Sequence, residues 1–545
     1  MSAVPALRRA ATSLAAVLAC AVAAPSAAHA KPAKQDRNVR VQLLGINDYH
    51  GHLQPSTPGT ITLNGQRVPA GGAPFLATHL DRLTAENPNT LRVGAGDLIG
   101  ASPLVSALFR EEPAIESLDA MDLDVASVGN HEFDKGYREL LRLQNGDDEF
   151  PGAQFGYLAA NVVKASTGRP ILPPYAIERI GGVRVGFIGV TLEETPTIVS
   201  AEGIEGLKFL DEVETINRYA KVLRERDVGA IVVLMHQGGT QASPSYDGCE
   251  NPTGPVFDIV KELSRRVDVV FSGHTHQAYN CRLGGRPVVS GLSFGRLISD
   301  VDLTFDKRTR DLIATRARNV PVTQDVPPDP ALAALVKRYE DAAAPLASRV
   351  LGSAAGDFTR AQSPAGESAL GNVIADAQLA ATKVNGAQIA LMNPGGIRTD
   401  VAAGEVTFGE AFAVQPFGNS LTTLTLTGEQ LRAALEQQFD NPSPGANRIL
   451  SVSAGFSYAW DASRPAGSRV DPASIALDGT PVSPTGSYRV TVNSFLADGG
   501  DTFTTFVSGT DRVGGGQDLD AFEAYLRAGS PLAVPPLGRI VRTGG

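Results

Sequence analysis

The chain has 545 residues with 43% hydrophobic and 19% charged side chains. That is long enough for two to four domains with cores of their own, and too apolar for a disordered chain. Its net charge of −10 gives no long-range attraction to polyanions, so a nucleic-acid polymer is not an expected partner. Small phosphorylated molecules remain compatible with a local positive site.

At the N-terminus, Arg8 and Arg9 precede an apolar run from Leu14 to Ala24, and Ala28-His29-Ala30 offers small residues for cleavage. This order of charged, apolar and small residues reads as a secretory signal over 1–30, too short for a membrane span. Lipid attachment at Cys20 is the weaker alternative, because the apolar run continues beyond it. Later segments lack the length and apolarity of a membrane span. The expected location is therefore secreted or extracytoplasmic, with cell-wall retention left open. Removing residues 1–30 takes away two arginines and no acid, moving the net charge to −12.

From Val39 to about Asp306, apolar runs such as "VRVQLLGIN", "TLRVGAGD", "VASVGN", "VRVGFIGVT", "AIVVLM", "VDVVFSG" and "PVVSG" alternate with helix-like segments. Such alternation predicts an α/β layer architecture with functional residues at strand ends. Cys249 and Cys281, the two cysteines left after processing, most simply form a disulfide in an exported chain; a metal-binding thiol pair is the alternative. Around 320–331 a Pro-rich stretch breaks the pattern, and a helix interrupted at Pro345 follows. We therefore expect a first domain over 31–325, a linker and helix over 326–355, and a second α/β domain over 356–545. Gly-Pro-rich patches at 441–446 and 480–487 read as surface turns.

Five strand ends carry polar clusters. Asp48, His50 and His52 come from "INDYHGH", Asp97 from "GAGD", Asn130, His131 and Asp134 from "GNHEFD", His236 from "LMHQGG", and His274 and His276 from "FSGHTH". Singly, each has an ordinary explanation as a helix cap, a turn or a hydrogen-bonded loop histidine. Together they offer too many donors for one divalent ion. They suit two ions sharing a carboxylate, and imidazole with oxygen donors favours zinc, manganese, iron or cobalt over calcium.

This ordered set resembles the calcineurin-like metallophosphoesterases, and its spellings are similar to their exported 5′-nucleotidase branch. The resemblance implies a four-layer α/β/β/α sandwich followed by a nucleotide-binding α/β domain. It places Asp48, His50 and His276 on one metal, Asn130, His236 and His274 on the other, and Asp97 between them. His131 and Asp134 match the family's catalytic pair, while Glu132 reads as structural and His52 as a neighbour of the ligands. Two such ions supply a hydroxide at neutral pH and clamp the phosphoryl oxygens, and an imidazolium stabilises the leaving oxygen.

The resemblance continues through "NPGGIR", "VQPFGNSL" and "NSFLADGGDTF". It implies that Phe417 and Phe495 sandwich a base and that Asp501 contacts the ribose. Asn419 reads a base edge, and Asn393 and Arg398 approach the ribose and phosphate. Without that context each Phe is an ordinary buried anchor and "NPGGIR" a Gly turn. A further family arginine is displaced here, with Arg360 as the nearest candidate. The resemblance also implies a hinge between the domains. A Cys249–Cys281 bridge would either tie down the loop bearing His274 and His276 or simply close a loop.

The expected function is hydrolysis of nucleoside 5′-monophosphates. The same chemistry on cyclic nucleotides, 3′-nucleotides or nucleotide sugars is the alternative. A nucleotide- or metal-binding surface protein without turnover is the rival from another class, and an adhesive wall protein would leave the clusters unexplained.

Overall fold

The computed structural model describes residues 37–544, apart from 57, 58, 64 and 201. The signal segment, its cleavage after Ala30 and the Cys20 alternative lie outside the described residues. Among the described residues no helix is long and apolar enough to cross a membrane.

The first half builds two six-stranded mixed sheets. One runs Leu312–Pro321, Leu297–Asp306, Asn38–Ile46, Thr90–Ala95, Val125–Ser127 and Gly156–Leu158. The other runs Ala278–Leu283, Arg286–Gly291, Val269–Ser272, Ala230–His236, Val183–Thr191 and Tyr175–Ile180. Central strands pair in parallel; antiparallel strands close both edges of the second sheet and one edge of the first, whose other edge, Gly156–Leu158, is parallel. The near-continuous apolar runs are explained by burial on both faces. Val41, Val93, Phe187, Val232, Phe271 and Leu303 fill the space between the sheets. Leu44 and Ile46 face outward onto Leu76, Leu80, Ile115 and Leu118, and Ile231 and Val233 pack against Ile216, Leu223 and Val260. The result is the expected helix–sheet–sheet–helix stack.

The hairpin Leu297–Asp306 and Leu312–Pro321 was not among the expected strands. Its second strand is interrupted by Thr315, Arg316, Arg318 and Asn319 and is largely exposed or half-buried, so it lacks the apolar run that marked the others.

Helix Pro330–Ala347 begins with Asp329 accepting from Leu332 N at 2.8 Å. Contrary to expectation, Pro345 does not interrupt it. The proline sits in the last turn, and the helix runs two residues past it to Ala347 without the bond that its missing N–H would have donated one turn back. Leu332, Val336 and Ala343 join the outer core of the first half, and Tyr339 donates to Glu116 at 2.7 Å. The helix is thus packed onto the first half along its length.

Strand Val350–Ala354 already pairs with Gly404–Thr407 of the second half, six residues before Gly356. There a five-stranded sheet runs Ser451–Val452, Ile389–Met392, Ser487–Asn493, Ser420–Thr427 and Thr510–Gln517. Helices Ala369–Thr382 and Asp518–Gly529 share a core with Met392 and Phe358, while helix Gly428–Glu436 packs with Leu424, Val490 and Phe503.

Cys249 and Cys281 form a disulfide that joins the segment after His236 to the edge strand after His276. It closes 32 residues, so removing both cysteines is expected to cost about 3–4 kcal/mol, read as a drop in denaturant midpoint. Metal affinity measured on the same variant separates loop ordering, which would weaken it, from simple closure, which would not.

Candidate metal and nucleotide site

The parallel strands of both sheets end at one place, and their C-terminal ends deliver every cluster. Asp48 and His50 follow Asn38–Ile46, Asp97 follows Thr90–Ala95, and Asn130 and His131 follow Val125–Ser127. His236 closes its own strand, and His274 and His276 follow Val269–Ser272. Small residues let these ends converge. Gly129 lies against the Asp97 carboxylate, where any side chain would overlap it. Gly96, at φ 79°, has room for no Cβ because one would sit 2.7 Å from His236 Nδ1.

Asp48, His50, Asp97, His274 and His276 all have positive φ, between 49° and 71°. Left-handed backbone at non-glycine residues costs roughly 1 kcal/mol or more each, and its concentration on one site marks a conformation held for function.

At this site three groups of side chains place ligand atoms within 4.8 Å of one another: Asp48, His50 and His276; His50, Asp97 and His131; and Asp97, His236 and His274. Asn130 Oδ1 lies 3.0 Å from His274 Nδ1, adding an amide oxygen to the last group. His50 Nδ1 lies 2.7 Å from Gly100 O and His236 Nδ1 2.9 Å from Ala95 O. A carbonyl can only accept, so each Nδ1 carries the proton and each Nε2 turns a lone pair inward. His50 Nε2 meets His276 Nε2 at 3.1 Å, and His236 Nε2 is buried without a hydrogen bond although Asp97 Oδ2 is 2.9 Å away. Inward-facing lone pairs beside two carboxylates fit divalent cations.

Electrostatics agree. Burial alone would raise the Asp97 carboxyl, but His236, His131 and His50 outweigh it and hold it well below the usual carboxylate range. Burial would lower His236, yet the nearby Asp97 and Asp48 charges raise it to about 9, so the carboxylates favour a cation at Nε2, whether a proton or a metal ion that takes its place. Burial pushes His274 down to about 3 and His50 well below its ordinary value, leaving both neutral as ligands require.

His131 sits beside the ligand cluster, its Nδ1 2.8 Å from Asp134 Oδ2 and its backbone N–H donating to Asp97 Oδ1 at 2.8 Å. Burial opposes its charge, but Asp134 and Asp97 prevail and raise its pKa. Glu132 is structural, as expected: its buried carboxylate accepts from the backbone N–H groups of Asp97, Leu98 and Gly129. Burial, followed by the Asp97 charge, raises it to about 7. Glu132→Ala would strand three buried donors and is expected to cost about 3–5 kcal/mol, measured as a fall in unfolding free energy. His52 stacks on Phe294 with centroids 3.8 Å apart, and Phe294 also meets the rings of His50 and His276 edge-on.

A cavity of about 260 Å³ opens beside His131 and is shared by both halves of the chain. Asn130, His131, Asp134 and His274 line one wall; Asn393, Arg398, Phe417, Asn419, Phe495 and Asp501 line the other. The Phe417 ring lies nearly parallel to His131, at 5.7 Å and 16°, and the Arg398 guanidinium is also 5.7 Å from the centre of that phenyl ring. Burial disfavours charge on Arg398, while Asp97 and Asp134 support it. Asn419 lies 3.4 Å from Asp518 Oδ2, and Asn393 donates to Asp501 at 2.8 Å. Arg360 does not line the cavity; its exposed side chain lies with Asp400 at 3.4 Å and Ile397 O.

The chain matches the family model for calcineurin-like phosphoesterases over residues 41–278 and that for the 5′-nucleotidase C-terminal domain over 350–508. It is 33% identical over 552 aligned positions to cell wall protein Lmo0130 of Listeria monocytogenes, an alignment covering 92% of this chain and 69% of that one. The chain belongs to the calcineurin-like phosphoesterases that carry a 5′-nucleotidase C-terminal domain. Endonuclease YhcR of Bacillus subtilis is 37% identical across 92% of this chain, which spans only 41% of YhcR. Among solved structures, a 5′-nucleotidase precursor from Thermus thermophilus superposes with a TM-score of 0.78 at 30% identity, covering 93% of this chain and 99% of that one.

Sequence reasoning missed several cavity residues of this calcineurin-like phosphoesterase. Ile198, Val199 and Ser200 reach it from the first half, and Arg448, Asn493 and Asp498 from the second. Arg448 stands next to a stretch that reads as a surface turn. Asn493, which ends the strand Ser487–Asn493, and Asp498 both lie inside "NSFLADGGDTF", so the motif itself was the available signal for them.

Proposed function

We propose that the chain is an exported phosphohydrolase that uses two divalent metal ions to release phosphate from nucleoside 5′-monophosphates. The observation that carries this reading is the cavity in which His131 and two members of the donor cluster, Asn130 and His274, face Arg398, Phe417, Phe495 and Asp501. Asp48, His50 and His276 would hold one ion, Asn130, His236 and His274 the other, with Asp97 between them. When bound, the two ions would bring a water to ionisation near neutral pH and neutralise the phosphoryl oxygens.

The chain's own groups do the rest. His131, oriented by Asp134 through Nδ1, has Nε2 free to donate a proton to the departing ribose oxygen. Arg398 balances phosphate charge at the cavity wall. Phe417 and Phe495 supply aromatic faces for the base, which accounts for affinity with little discrimination among bases. The disulfide and the likeness to a protein described as a cell wall protein support action outside the cytoplasm.

A phosphodiester reading has one observation in its favour: the relative YhcR is described as an endonuclease. The test is kcat/KM for AMP, 2′,3′-cyclic AMP, 3′-AMP and a nucleotide sugar with metal added. AMP is expected to lead, and a leading diester or pyrophosphate would overturn the 5′-nucleotidase reading. Phe417→Ala is expected to raise KM for AMP about 10-fold with little change in kcat, the loss of one base–aromatic stack.

A further inference from the structure

The geometry points to Arg448, with Asn441, as a positioning pair that aims the Asp501 carboxylate at the hydroxyl groups of the bound sugar. This rests on the nucleoside-binding reading of the cavity and names a determinant within it.

Asp501 is almost fully buried, lies on the cavity wall and adopts φ 55°, with Thr502 after it at 65°. Two successive non-glycine residues with left-handed φ do not hold themselves. Three contacts from outside the segment hold this one. Asn393 Nδ2 donates to Asp501 Oδ2 at 2.8 Å, Arg448 Nη1 meets Oδ1 at 3.0 Å, and Asn441 Nδ2 donates to the Asp501 backbone carbonyl at 2.8 Å. Arg448 and Asn441 are themselves linked, Nη1 donating to Asn441 Oδ1 at 3.2 Å.

Asn441 lies in, and Arg448 just beyond, the 441–446 stretch whose composition reads as a surface turn. Asn441 is nevertheless only 4% exposed. The loop is anchored at its far end, where Arg448 N donates to Gln438 O at 2.8 Å and Leu450 N to the buried Gln438 Oε1 at 2.6 Å. A rigid bracket therefore surrounds a strained acidic residue.

The chemistry of the bracketed group selects its ligand. Burial, the largest influence, raises the Asp501 pKa, and Arg448 is the leading influence that lowers it. An ionised carboxylate is acceptor-only and offers about four lone-pair positions; Asn393 and Arg448 use one each. The positions left can accept two O–H donors, which matches the vicinal hydroxyls of a ribose. Without Arg448 the buried carboxylate loses its cationic partner and its fixed direction, and sugar hydroxyls lose an oriented acceptor.

The test is calorimetric binding of adenosine and of 2′,3′-dideoxyadenosine to the metal-loaded protein, alongside AMP kinetics. Wild-type protein is expected to prefer adenosine. Arg448→Gln is expected to weaken adenosine about 10-fold while leaving the dideoxy compound unchanged, the pattern of a lost polar contact. Arg448→Lys should recover part of the preference, and in an Asp501→Asn background Arg448→Gln should add nothing. With AMP the change should fall on KM rather than kcat. Equal weakening of both nucleosides, no weakening in either Arg448 variant, or full additivity with Asp501→Asn would overturn the assignment. A wild-type protein that binds neither nucleoside would overturn it too. Adenosine preference without AMP turnover would leave the bracket standing and defeat the proposed reaction instead.

Discussion

Asp97→Asn is expected to reduce bound metal below two ions per chain and to lower kcat/KM for AMP at least about 10³-fold, the several kcal/mol that a metal pair contributes to phosphoryl transfer. Asp97 joins two of the three donor groups in the cluster. It stands with His50 in one and with His236 and His274 in the other, and the surrounding imidazoles keep it ionised. The substituted amide retains an oxygen for the His131 backbone N–H, so the fold should survive and the loss should be one of charge. Metal analysis of the purified variant checks the first part and steady-state kinetics the second. Two tightly held ions in Asp97→Asn would remove this residue from the shared position.

His131→Ala carries the second large effect. It is expected to cut kcat for AMP by about 10²- to 10⁴-fold, the range for loss of a positioned proton donor. Metal content should stay at the wild-type level, because Asp48, Asp97, Asn130 and the four other histidines of the cluster remain. Asp134→Asn should follow in the same direction with a smaller loss, since the ring stays in place but its cationic form loses a charged partner at 2.8 Å. Phosphate-release assays with parallel metal analysis separate the two roles. A drop in metal content equal to the drop in rate would make His131 a ligand rather than a proton donor.

Much of this was legible in the chain because the first half is built on both-face-buried parallel strands. Their apolar runs end abruptly, so Asp48, Asp97, Asn130, His236 and His274 stand out against them. The α/β class followed from the same runs. What was hidden lacked that contrast. The strand Leu312–Pro321 carries Thr315, Arg316, Arg318 and Asn319 in its middle at a sheet edge, and Pro345 marks no boundary because the helix runs two residues past it.

The second half was legible through its motifs rather than its pattern. "NPGGIR" and "NSFLADGGDTF" led to Asn393, Arg398, Phe495 and Asp501, which share the cavity. Arg360, chosen for proximity to a family position, lies outside that cavity with Asp400. Arg448 was overlooked because Pro442, Pro444 and Gly445 give its loop the composition of a solvent-facing turn. Only the fold shows that the two ends of that loop close on Asp501. Positive φ at five of the cluster residues is likewise invisible in sequence, since Asp and His adopt it only when surrounding structure imposes it.

The most direct measurement is phosphate release from AMP by residues 31–545, first stripped of metal by a chelator and then titrated with zinc, manganese, cobalt or iron. The account predicts no turnover in the stripped protein and recovery that saturates at two ions per chain. Full activity after verified metal removal, or saturation with a single ion, would contradict the two-metal reading.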